Sequence, residues 1–222
     1  MSEISDQHKT VLDNLVAASK RAGLPAANLV AVSKVQPDAR IKEMLKTGQS
    51  IFGENRVQEA QTRWGETFAD YREGLELRLI GPLQSNKAAD AAALFDVIET
   101  VDREKLLKAL MKAAGDAGKM PRLYVQVNTG EEDQKSGVLP AELPAFLKTM
   151  RGTYDLEPEG LMCIPPLGEA ASPHFWLLAN LAKANGVSKL SMGMSGDYEI
   201  AAEMGATSVR VGSALFGARK PK

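Results

Sequence analysis

A lysine closing a short β-branched apolar run, Leu29-Val30-Ala31-Val32-Ser33-Lys34, is the residue of this sequence placed for covalent chemistry. An amine seated against apolar walls sheds its proton more readily than one in water, and the neutral amine condenses with a carbonyl to an imine. On position alone, a solvated lysine at a strand end is the commoner outcome, so the reading depends on what faces it. Towards the other end of the chain, Ser191-Met192-Gly193-Met194-Ser195-Gly196 precedes a helical pattern, and Arg210-Val211-Gly212-Ser213 closes the last apolar run. Glycines beside serines at helix starts offer backbone N–H groups and hydroxyls to an anion, which is the chemistry of a phosphate pocket. The same residues also suit plain tight turns, with Ser195 as a helix cap. Arg210, if it points inward, is a buried charge that requires an anion or a strong acceptor; pointing outward, it lies between helices.

Other residues add less. In Phe52-Gly53-Glu54-Asn55-Arg56 the polar triplet either lines a pocket or caps the next helix, and Asn55 is the better pocket candidate. Ile80-Gly81-Pro82-Leu83-Gln84-Ser85-Asn86-Lys87 has the Gly-Pro turn and polar run of a binding loop. Cys163 is the single cysteine, and with no histidine near it in sequence it reads as a small buried hydrophobe. One cysteine and two distant histidines, His8 and His174, exclude a disulfide framework and a multi-cysteine zinc site, so no metal is expected. Gly115-Asp116-Ala117-Gly118-Lys119 is too short for a nucleotide P-loop and closes a helix instead of opening one.

With 27 basic and 28 acidic residues the net charge is −1, which gives no field that favours nucleic acid or an anionic membrane surface. The first 21 residues carry Glu3, Asp6 and Asp13 among apolar positions. They lack the unbroken hydrophobic run of a signal peptide or membrane span, and the expected location is the cytoplasm.

The elements that must position these residues are short. Apolar runs at 29–33, 50–53, 77–80, 97–100, 123–127, 160–164, 189–192 and 208–211 alternate with helical patterns. The first helix shows Val11, Leu12, Leu15 and Val16 before Gly23; others show Ile41, Met44 and Leu45 before Gly48, and Leu106, Leu107, Leu110 and Met111 before Gly115. A later one starts on Ser172-Pro173 as cap and first residue and exits at Gly186. Eight strands alternating with helices predict an α/β fold: a single (β/α)8 TIM-type barrel across residues 1–222, with an additional N-terminal helix. In such a barrel the residue just after each strand faces the functional end, and the loops after strands seven and eight are a frequent phosphate site.

The motifs Ala31-Val32-Ser33-Lys34, Phe52-Gly53-Glu54-Asn55-Arg56, Ile80 through Lys87, Val127-Asn128 with Lys135-Ser136-Gly137, Gly160-Leu161-Met162, Leu190 through Ser195 and Val209-Arg210-Val211-Gly212 occur in order. Together they resemble the YggS/PROSC family of pyridoxal phosphate homeostasis proteins. The resemblance implies a barrel like the N-terminal domain of alanine racemase, with pyridoxal 5′-phosphate (PLP) held as a Schiff base on Lys34. It further implies Ser191, Gly212 and Ser213 at the phosphate and Arg210 facing the pyridine nitrogen, with Asn55, Ser195 and Gly196 completing the pocket. One departure is Arg78-Leu79, where the family usually has a histidine before the Ile-Gly-Pro-Leu-Gln run. An arginine beside the pyridine nitrogen disfavours its protonation and weakens the ring as an electron sink, which favours holding the cofactor over demanding carbanion chemistry. The chain also ends at Lys222, soon after the eighth strand, where full racemases of this type go on to a second domain that supplies a tyrosine. The expected function is PLP homeostasis without strong catalysis: buffering the aldehyde and delivering it to apo PLP-dependent enzymes. Alternatives are a PLP-dependent amino-acid racemase or related fold-type III enzyme, a lysine aldolase acting on a phosphorylated sugar, and an interaction protein with a vestigial pocket.

Overall fold

The computed structural model describes residues 2–217, so Met1 and 218–222, the two ends of the expected 1–222 span, lie outside the described residues. Eight parallel strands form a closed barrel in sequence order. They are β1 Asn28–Val32, β2 Ile51–Glu54, β3 Glu76–Leu79, β4 Val97–Val101, β5 Arg122–Val127, β6 Gly160–Cys163, β7 Lys189–Ser191 and β8 Ser208–Val211. Each expected strand forms, because runs such as Leu-Val-Ala-Val are buried on both faces and suit a parallel sheet covered by helices. Closure comes from β1 pairing with β8, with Val30 opposite Arg210 and Ala31 opposite Val211. The first and last strands therefore bring Lys34 and the Arg210 segment together.

The outer layer comprises α1 Glu3–Arg21, α2 Asp38–Lys46, α3 Val57–Ala60, α4 Ala88–Leu94, α5 Glu104–Ala117, α6 Leu143–Tyr154, α7 Ala171–Ala184, α8 Tyr198–Glu203 and α9 Ser213–Phe216. The Ser2 hydroxyl caps α1, which begins with Glu3 and Asp6 and ends with Lys20 and Arg21, matching the helix dipole at both ends. Its buried stripe is Ile4, His8, Val11, Leu15 and Ala18, while Leu12 and Val16 from the expected apolar face are exposed. Each of those two stands one residue, about 100°, round the helix from the stripe. Two helix boundaries also differ from expectation. Helix α5 runs through Gly115 and stops at Gly118, whose φ of 66° provides the left-handed exit. Helix α7 starts at Ala171, which puts Pro173 inside the first turn, where a missing N–H costs nothing.

The main apolar core fills the layer between strands and helices, and Val97, Tyr124 and Met162 form a separate small cluster. Arg78 of β3 bonds Ser208 of β8 at 3.2 Å, and Ser191 of β7 bonds Glu99 of β4 at 2.6 Å. Neither pair of strands is adjacent, so both bonds cross the barrel interior. Gly160 makes room for this filling: a Cβ there would lie 2.2 Å from Tyr124 Cε1 and 2.6 Å from the Lys189 carbonyl. Gly160→Ala is expected to destabilise the barrel by about 1–3 kcal/mol in urea unfolding. A loss below about 0.5 kcal/mol would mean that both Tyr124 and the backbone at Lys189 can give way at little cost.

Candidate functional site

At the C-terminal mouth of the barrel lies a cavity of about 300 Å³. Seven of the residues expected from sequence line it: Lys34, Asn55, Ser195, Gly196, Arg210, Gly212 and Ser213. Val32, Ile80, Ile164 and Met194 supply apolar wall, and Gln36 and Gly217 complete the rim. Apolar walls with a few convergent polar groups are what a small-molecule site requires.

Each polar group arrives on a defined support. Lys34, half-buried, follows β1 at the corner of a turn closed by the Gln36 N–H donating to the Ser33 carbonyl at 3.1 Å. The next residue, Val35, has φ 59°, the left-handed conformation that type II turns reserve for glycine. For a β-branched residue it costs roughly 1–2 kcal/mol. Asn55 follows β2 and is backed by Gly81, where a Cβ would come within 2.3 Å of the Asn55 carbonyl oxygen. The loops after β7 and β8 are joined by Ser195, whose hydroxyl accepts the N–H groups of Gly212 at 3.1 Å and Ala214 at 3.3 Å.

Arg210 projects from β8 and is 4% exposed. Its guanidinium donates to Ser191 Oγ at 2.6 Å and to the Cys163 carbonyl at 2.8 Å, and lies 3.8 Å from Glu99 Oε2. Ser191 differs from the other seven expected residues. It is fully buried and is not part of the cavity lining; its hydroxyl donates to Glu99 and accepts from Arg210. Cys163 is buried as expected, and burial pushes its thiol up to about 12, far from nucleophilic use.

Several functional supports were assigned no partner from sequence: Glu99 was not singled out, Arg78 stood only as a departure from the family pattern, and Glu54 only within a polar triplet. Glu99, inside β4, binds Arg78 Nη1 at 2.9 Å through one oxygen and Ser191 through the other. Arg78 also donates to Glu76 at 2.5 Å and lies 5.9 Å over the Tyr124 ring. Burial works against its charge, but Glu99 and Glu76 more than compensate and strengthen its hold on its proton. The signal available in sequence was a charged residue in the middle of each apolar run, Arg78 in one and Glu99 in the other.

Glu54, completely buried at the end of β2, is the other support. One of its oxygens accepts from Ser33 Oγ at 2.7 Å, Arg63 Nη1 at 2.8 Å and Trp64 Nε1 at 3.1 Å. Burial raises its pKa, and the charge of Arg63 and the hydrogen bonds from Ser33, Arg63 and Trp64 only partly offset that.

The expected binding loop at 80–87 is divided. Ile80 lines the main cavity, Pro82 joins a neighbouring one, and Ser85–Lys87 forms a 3-10 turn that leads into α4. That second cavity, about 270 Å³, shares Ile80 and Ile164 with the first and is lined by Gln126, Asn128, Lys135 and Ser136. Lys135 is ion-paired with Glu132. Among the described residues no His/Cys/Asp/Glu group could hold a metal ion, and no helix is long and apolar enough to cross a membrane.

The fold and its lysine-bearing mouth define the class to which the family model "Alanine racemase, N-terminal domain" corresponds, and that model matches residues 8–220. Within that class, the pyridoxal phosphate homeostasis protein of Pseudomonas aeruginosa is 40% identical, with 99% of this chain and 97% of the relative covered. The Escherichia coli protein of the same name is 34% identical over 99% of this chain and 98% of its own length. This chain belongs to the YggS/PROSC family of pyridoxal phosphate homeostasis proteins. The solved structure of PipY from Synechococcus elongatus with PLP bound is 37% identical, with a TM-score of 0.79 over 97% of this chain and 100% of that one. An alanine racemase of Clostridium difficile shares the fold at 16% identity and a TM-score of 0.66, and this chain spans 58% of its length.

Proposed function

We propose that this chain binds PLP in the barrel mouth as a Schiff base on Lys34, and that it serves intracellular PLP homeostasis by buffering the cofactor and delivering it to apo PLP-dependent enzymes. The observation that carries the reading is the convergence of Lys34, Arg210, Asn55 and the Ser195–Ser213 floor on one cavity of about 300 Å³. The donor set fits the group: an amine for the aldehyde, hydroxyls and backbone N–H groups for a phosphate, and Ile80, Ile164 and Met194 against an aromatic ring. Lys34 provides the point of attachment. Ser195, Gly196, Gly212 and Ser213 grip the phosphate. Asn55 orients the ring edge, and Ser191 acts beneath the cavity by fixing Arg210.

When bound, PLP supplies a reactive aldehyde and an electron-withdrawing ring. Arg210, permanently charged and held by Ser191 and the Cys163 carbonyl, keeps a proton off a nearby pyridine nitrogen and so restrains that electron withdrawal. Among the described residues that line the cavity, Lys34 is the one side chain able to move a proton to or from a carbon acid. Both features support a carrier over a catalyst. The cytoplasm, where such recipient enzymes fold, is the compartment this role requires.

Titrating PLP into the purified protein should produce a visible absorption band. Borohydride reduction followed by peptide mass spectrometry should then find the pyridoxyl adduct on Lys34. A colourless protein with no adduct would overturn the reading. Chiral chromatography of single amino-acid enantiomers incubated with the PLP-loaded protein tests the non-catalytic part, which steady interconversion at an enzyme-like rate would overturn.

A further inference from the structure

The turn that carries Lys34 is held in its unfavourable conformation from outside the cavity. Beyond α3 the chain continues as a π-helix, Gln61–Thr67, a form rare in proteins and concentrated near functional sites. Glu59 and Arg63, one helical turn apart, face the Lys34 turn. Glu59 Oε1 accepts the Val35 N–H at 2.7 Å. Arg63 Nη1 donates to the Ser33 carbonyl at 3.1 Å, and Nη2 donates to the Gln36 carbonyl at 3.0 Å. One guanidinium thus spans both ends of the turn, and its neighbour holds the middle.

The clamp is itself anchored. Arg63 Nη1 also reaches Glu54 at 2.8 Å and Glu59 at 3.2 Å, and its side chain is only 10% exposed. Trp64, the next residue, donates to Glu54 and packs on Phe52 of β2 with ring centroids 4.8 Å apart. Neither Glu59 nor Arg63 lines the cavity. A left-handed valine persists only where its surroundings over-determine it, and such positions cluster where a conformation serves function.

We infer that Glu59 and Arg63 are positioning residues, which lock the Ser33–Gln36 turn so that the Lys34 amine is presented to the cavity before any ligand arrives. The inference rests on Lys34 being the point of attachment. Its physical content is preorganisation: an amine on a fixed turn meets the aldehyde carbon often, and one on a loose turn seldom does. Arginine is required because its planar fork reaches two carbonyls at once, which a lysine ammonium on a single flexible stem does not reproduce.

The test compares two small molecules on Arg63→Ala and Arg63→Lys. PLP reports attachment; pyridoxine 5′-phosphate, with an alcohol in place of the aldehyde, fills the same cavity without forming a bond to the amine. Arg63→Ala is expected to slow the rise of the visible PLP band by on the order of tenfold to a hundredfold. Its affinity for pyridoxine 5′-phosphate should stay within about twofold of wild type, which a role in general stability would not predict. Arg63→Lys should fall between the two, and it provides the comparison if Arg63→Ala does not fold. An unchanged PLP rate in a folded variant overturns the inference, as does an equal loss for both molecules. Wild-type protein that never labels at Lys34 overturns the proposed function first, and this inference with it.

Discussion

Lys34→Ala is expected to abolish the saturable visible band and the single dominant pyridoxyl adduct found after borohydride treatment, leaving only weak, scattered labelling of exposed lysines. The reason is chemical: an alanine side chain has no amine, and Lys34 is the lysine among the described residues lining the cavity. PLP affinity should fall by on the order of a hundredfold, about 2.8 kcal/mol, which is the loss of the covalent part of binding. The phosphate grip of Ser195, Gly212 and Ser213 remains, so residual non-covalent binding should survive and match that of pyridoxine 5′-phosphate. Because Lys34 sits half-buried at the corner of a turn, its truncation should change unfolding free energy by no more than about 0.5 kcal/mol. Borohydride labelling of another lysine at wild-type yield in this variant would move the attachment point elsewhere.

The second large effect is on the barrel interior. Glu99 is completely buried between Arg78 at 2.9 Å and Arg210 at 3.8 Å, with Ser191 donating to it at 2.6 Å. Removing one member of a buried ion cluster leaves the others uncompensated, which costs about 3–5 kcal/mol. Glu99→Ala is therefore expected to lose that much in urea unfolding, a large share of the roughly 5–15 kcal/mol that stabilises a typical domain. Arg78 keeps Glu76 as a partner, whereas among the described residues Arg210 keeps neutral acceptors, Ser191 and the Cys163 carbonyl. The damage should consequently reach the cavity, and the PLP band of any folded Glu99→Ala protein should shift. A stability loss under about 1 kcal/mol would show that water enters the interior and solvates the arginines, and the buried-cluster account would fail.

Arg78 has a consequence of its own. A guanidinium stays charged across the ordinary pH range. The Glu99 carboxylate therefore keeps a permanent partner on this side of the barrel.

The strands and the mouth of the barrel were legible in the sequence because both follow local rules. Eight apolar runs of strand length alternating with helical patterns admit few other folds, and parallel strands send the residues after them to one end. That is why Lys34, Asn55, Ser195, Gly196, Arg210, Gly212 and Ser213, from four separate segments, line a single cavity. What only the tertiary structure decided is how the charges beneath and beside that cavity are matched. Arg78 meets Ser208 across 130 positions of chain, and Ser191 meets Glu99 across 92. In a strand buried on both faces, no alternation of apolar and polar residues marks the side that points inward. Closure of the barrel sets that side, and it drew Ser191 under the floor as a partner for Arg210. The clamp of Glu59 and Arg63 on the Lys34 turn was equally hidden, because it depends on a helix after β2 folding back over the end of β1. Local pattern thus determined which residues reach the mouth, while packing between distant segments determined how firmly each is held there.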